Sequence, residues 1–92
     1  MDTHFKEQIS NAYEALLDAL TFVSTHDKAD DTKHVDEHAR DILKHHPECP
    51  DVVRNTVRTC EDFKWLSAVF KIGTKHVRIS TTGEEEVLRD AA

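Results

Sequence analysis

The feature that most constrains this chain is the stretch Thr3–Ser24. Phe5, Ile9, Ala12, Tyr13, Leu16, Leu20 and Val23 recur at the three- and four-residue steps of a single helix face. Glu7, Glu14 and Asp18 fall off that stripe, as solvated positions should. Four of the chain's ten leucines and isoleucines lie in this one stretch, so whatever this chain folds into, the remainder must pack against this helix. Asp2 or Thr3 is placed to cap it.

A second helix is expected from Asp31 or Thr32 to about His46, with Val35, Ala39, Ile42 and Leu43 as its apolar side. Pro47 stops it, because the residue before a proline is driven away from helical angles. The spacing of Val52, Val53, Thr56, Val57, Cys60 and Phe63 predicts a third helix that opens at Pro50. Trp65–Ile72 and Lys75–Ser80 then alternate with the period of two that a half-buried strand needs, and they read as a hairpin around Gly73-Thr74. Thr82 and Glu85 form a capping box for a short terminal helix that Val87 and Leu88 could dock, although the last ten residues could equally fray. The fold expected over residues 1–92 is therefore one small α+β domain, three helices with a C-terminal β-hairpin. An all-α helical bundle is the alternative.

Composition narrows the function. With 92 residues, the chain can bury roughly two thirds of its unfolded surface. That suffices for one modest core, with a groove or a patch for a site. The 33% of charged residues are segregated: residues 1–53 carry a net −7, residues 54–80 a net +4 and residues 81–92 a net −3, for −6 overall. Such polarity steers association with an oppositely charged surface. No run approaches the ~18 apolar residues of a membrane span. Met1-Asp2-Thr3-His4 does not read as a signal peptide, and Cys49 and Cys60 are too few for a disulfide framework, so a cytoplasmic protein with reduced thiols is expected.

Three site patterns stand out. Asp30, Asp31, Asp36, Glu37 and Asp41 form an acidic ridge suited to a basic groove on a partner protein. Arg54, Arg58, Lys71, Lys75 and Arg78, interleaved with Trp65 and Phe70, form a basic counterpart that could contact a partner or a single-stranded nucleic acid. Finally, His34, His38, Asp41 and His45 share one stripe of the second helix, and Cys49 or Cys60 could add a fourth zinc ligand. His34-Val35-Asp36-Glu37-His38 also resembles the H-x-x-E-H pattern of inverted zincins, in which the histidines hold zinc and the glutamate acts as general base. That pattern needs a third ligand on another helix, which the sequence does not place.

Neither cysteine has an electropositive setting, and with only Gly73 and Gly83 there is no phosphate-cradling loop. The expectation is thus a non-enzymatic interaction protein without a cofactor, an inhibitor or adaptor of the kind phages and mobile elements often encode. It would occupy a surface of a larger cytoplasmic, nucleic-acid-handling complex. Zinc binding and nucleic-acid contact through residues 54–80 are the alternatives, and a homodimer is compatible with all three.

Overall fold

The computed structural model describes residues 3–26, 32–60 and 62–90, with the side chains at 26, 32–34, 89 and 90 outside the description. Helix α1 (Thr3–His26) and helix α2 (Thr32–His45) pack on one face of an antiparallel sheet. Ala12, Ala15, Leu16, Ala19 and Val23 are buried along α1, while Phe5, Ile9, Tyr13 and Leu20 are partly buried beside them. The buried seam is thus displaced toward the alanines from the stripe of large residues. α1 runs past Ser24 to His26, and within this last stretch the Thr21 and Thr25 hydroxyls donate to the Leu17 and Thr21 carbonyls, at 3.0 and 2.9 Å. On α2, Val35, Ala39 and Leu43 are buried. Its C-terminal end is tied to α1 by His46 Nε2 at 3.2 Å from Asp18 Oδ2.

The third helix is absent, and the all-α alternative goes with it. In its place, β1 (Asp51–Val52) and β2 (Arg58–Thr59) both pair antiparallel with β3 (Leu66–Ile72). They are two halves of one interrupted edge strand. Five residues, 53–57, lie between them, opposite only Ala68 and Val69 on β3. The Thr56 hydroxyl bridges the interruption, donating to the Val53 carbonyl at 2.6 Å and accepting from the Val69 N–H at 3.1 Å. Two causes defeat the helix. Val52, Val53, Thr56, Val57 and Thr59 are β-branched and favour a pleated surface. Asn55 also takes φ +67°, a left-handed turn that a helix cannot contain.

The hairpin is present: β3 pairs with β4 (Lys75–Ser80) across Gly73, whose φ is +61°. It is not C-terminal, however. The terminal helix is replaced by β5 (Glu85–Asp90), which pairs with β4 and carries a bulge opposite His76/Val77. The capping box does not form. The Thr82 hydroxyl donates instead to Ser80 Oγ at 3.0 Å, inside a turn closed by Gly83 at φ +96°. Strand order is β1-β3-β4-β5, with β2 also beside β3. Leu66, Ala68, Phe70, Ile72, Val77 and Ile79 face the helices and complete the core.

The Asn55 turn distinguishes strand from helix through the sign of a substitution. Asn55→Gly should leave stability within about 0.5 kcal/mol, whereas Asn55→Ala should lower it by about 1 kcal/mol through left-handed strain. A helix would reverse that order, since alanine is favoured there over glycine by about 1 kcal/mol. Urea unfolding of the two variants measures it.

Candidate interaction surface

Residues paired across an antiparallel ladder project on the same face. The register therefore assembles three cross-strand rows on the face away from the helices: Arg58–Ser67–Ser80, Val69–Arg78–Glu86 and Asp51–Lys71–His76. Arg58, Lys71 and Arg78 are exposed there. Trp65, just before β3, is 36% exposed and lines a shallow concavity of about 480 Å³ with Ser67, Arg78, Ser80 and Glu84–Glu86. Three of the five basic candidates are thus brought together. Arg54 stands apart in the loop at 53–57, and Lys75 sits at the hairpin turn, paired with Asp90 on the helix-facing register. Phe70 offers no stacking surface, because it is fully buried in the core.

The Trp65 position is set by a turn built around a sulfur atom. Cys60 Sγ accepts from the Lys64 and Trp65 N–H groups at 3.0 and 3.4 Å and donates to Asp62 Oδ1 at 2.9 Å. That thiol bond, with Lys64 Nζ at 3.3 Å, holds the Asp62 carboxyl below its usual range. Phe63 takes φ +58° inside the turn, and the Cys60 N–H donates to the Trp65 carbonyl at 3.3 Å. Cys60 belongs to the spacing that predicted a third helix, a helix that β1 and β2 replace. Its role here is to shape the loop.

The acidic ridge divides. Asp36 Oδ1 accepts from the Thr59 N–H at 2.9 Å and from the Thr59 hydroxyl at 2.5 Å, which fastens α2 to β2. Asp36 is therefore a half-buried clasp, and nothing in its sequence context signalled a partner 23 residues away. Glu37 and Asp41 are exposed on α2, and Asp30 and Asp31 lie outside the described residues.

Two histidines of the stripe, His38 and His45, make other contacts. The His38 ring meets Phe22 edge-on, with centroids 5.3 Å apart. His45 Nδ1 donates to the Asp41 carbonyl at 2.8 Å, and the His34 side chain lies outside the described residues. Burial pushes the Cys49 thiol up to about 12, with Asp51 adding to the rise. Among the described residues, no group of three or more histidine, cysteine or acidic side chains is placed to hold a metal ion. Among them too, no helix is long and apolar enough to cross a membrane.

No protein-family model, curated protein or solved structure matches this chain.

Two outcomes follow from this geometry. Asp36→Ala should cost about 1–3 kcal/mol, because it leaves the Thr59 donors without their acceptor. Glu37→Ala should stay within about 0.5 kcal/mol, as exposed positions do, in the same urea titration. Alkylation of Cys49 at pH 8 should be slower in the native protein than in the unfolded chain by about tenfold or more. The unfolded thiol ionises near its ordinary value of 9.0 and the folded one near 12. Its contribution to stability is thus fully present below about pH 9 and is lost as pH rises from there toward 12.

Proposed function

We propose that this chain is a non-enzymatic protein–protein interaction module, an inhibitor or adaptor that binds an acidic segment of a larger protein on the outer face of its sheet. The observation that carries this reading is the gathering of Arg58, Lys71 and Arg78 with Trp65 on a sheet face to which neither helix is applied. Tryptophan and arginine are the side chains that most often anchor interfaces, being large, stiff and able to donate in several directions. The net +4 of residues 54–80 within a chain of net −6 would orient an approaching acidic partner toward this face.

Nucleic-acid contact is the second reading, favoured by the same cations beside an aromatic ring. It is weakened by burial of Phe70, which leaves Trp65 as the aromatic residue on offer beside the cations. The cytoplasm suits either reading, since the free cysteines Cys49 and Cys60 ask for no oxidising compartment.

The test is affinity capture from a lysate of the native cells, with and without nuclease. It uses the wild type, a Trp65→Ala/Arg78→Glu variant and a Glu37→Lys/Asp41→Lys variant, all checked for cooperative melting. A stoichiometric protein should survive nuclease, be retained by the Glu37/Asp41 variant and be lost from the Trp65/Arg78 variant. Its affinity should fall by about thirtyfold or more, corresponding to about 2 kcal/mol. Retention by the Trp65/Arg78 variant with loss from the other would move the interface to α2. Loss of all captured material with nuclease, together with oligonucleotide binding that weakens steeply with salt, would replace the protein partner with nucleic acid.

A further inference from the structure

The helix layer stops short of the sheet's edge. α1 touches β3 and β4, α2 touches β1 and β2, and neither reaches β5. The helix-facing side of the β4–β5 ribbon is therefore left as a groove of about 650 Å³, with Ile9 and Tyr13 on the α1 wall and Val77 and Val87 on the floor. Val87 pairs with Val77 on that face and is 51% exposed, the largest exposure of any big apolar side chain among the described residues. The groove is pre-formed. The Tyr13 hydroxyl donates to the Thr81 carbonyl at 3.2 Å and so fixes the α1 wall to the turn between β4 and β5.

We infer that this groove is a second docking site, distinct from the outer face, and that its occupant is a cationic amphipathic helix of a partner protein. Charge selects the sign of that helix. Among the described lining residues, Glu84 and Glu85 stand on the β5 side of the groove and Lys6 on the α1 side. Glu85 pairs with Ile79 in the register, which directs it to the groove side of the sheet. A helix with a leucine-like stripe on the valines and lysine or arginine flanks would meet both features. Geometry selects a helix over an added strand. The vacancy lies on the face of the ribbon beside α1, where a neighbouring helix would pack at roughly 8–10 Å between axes. The outer edge of β5, by contrast, is interrupted by the bulge opposite His76/Val77, a feature that discourages strand addition. Occupancy would complete the helix layer over the sheet.

The test is fluorescence anisotropy at moderate salt with three short labelled peptides. One is an amphipathic helix of leucine and lysine, one its leucine–glutamate counterpart, and one a leucine–lysine scramble without an apolar stripe. The amphipathic cationic peptide should bind, and both others should bind at least about tenfold more weakly. Glu85→Lys and Val87→Lys, both at exposed positions, should each weaken it by about tenfold or more while Trp65→Ala leaves it unchanged. Equal binding of the scramble, or no effect of Glu85→Lys and Val87→Lys, would overturn the site. Concentration-dependent dimerisation of the unliganded protein, abolished by Val87→Lys, would overturn the occupant in favour of a second copy of the chain.

Discussion

Everything in this molecule depends on how closely α1 can approach its neighbours. Ala12, Ala15 and Ala19 are fully buried along the helix, with Leu16 and Val23 among them. Methyl-sized side chains let the helix backbone sit near both the sheet and α2, so that Phe70, Leu43 and Leu66 fill the space that remains. No polar or charged side chain is fully buried among the described residues, so this core rests on shape and hydrophobic burial with no internal ion pair to desolvate. The larger residues of α1 then become its flanks. Ile9 and Tyr13 do not fill the centre, and for that reason they remain available as a wall.

The opposite face is organised by backbone satisfaction. An edge strand broken into two short pieces leaves donors and acceptors to account for. Thr56, Asp36 and Cys60 each supply a side-chain atom where the ladder lapses. Their joint effect is positional. Thr59, clasped by Asp36, fixes the strand carrying Arg58, and the sulfur-centred turn delivers Trp65 to the start of β3. Arg58 and Trp65 are thus placed by polar contacts at the rim of the sheet, while Lys71 and Arg78 stand on its inner strands.

Local periodicity accounts for what was legible in the sequence. α1, α2 and the β3–β4 hairpin each carry enough residues for their period to show, and Pro47 and Gly73 punctuate them. The segment after Pro50 misled because strands of two residues are too short to display alternation. Val52, Thr56, Cys60 and Phe63 meanwhile fall at helical steps by accident. Thr82 and Glu85 carry the letters of a helix cap, but Gly83 between them makes a hairpin turn instead. The convergence of Arg58, Lys71 and Arg78 was beyond any reading along the chain. It depends on which residue stands opposite which, and that is set by the register of strands whose existence was itself in question.

The order of elements also matters for how such a chain is made. α1 leaves the ribosome first, yet the sheet strands it rests against, β3 and β4, begin only at Leu66 and Lys75. At ordinary translation speeds that interval lasts on the order of several seconds, during which the helix must wait with its apolar stripe unpartnered by the sheet. α2 is the one described neighbour synthesised in the meantime that packs on it, through Val35, Ala39 and Leu43. The seam that waits is mostly alanine, which offers passing chains less apolar surface to adhere to than leucine or phenylalanine would. The same small side chains that allow close packing in the finished fold therefore reduce the apolar area that the centre of the waiting helix exposes, while Phe5, Ile9, Tyr13 and Leu20 flank it.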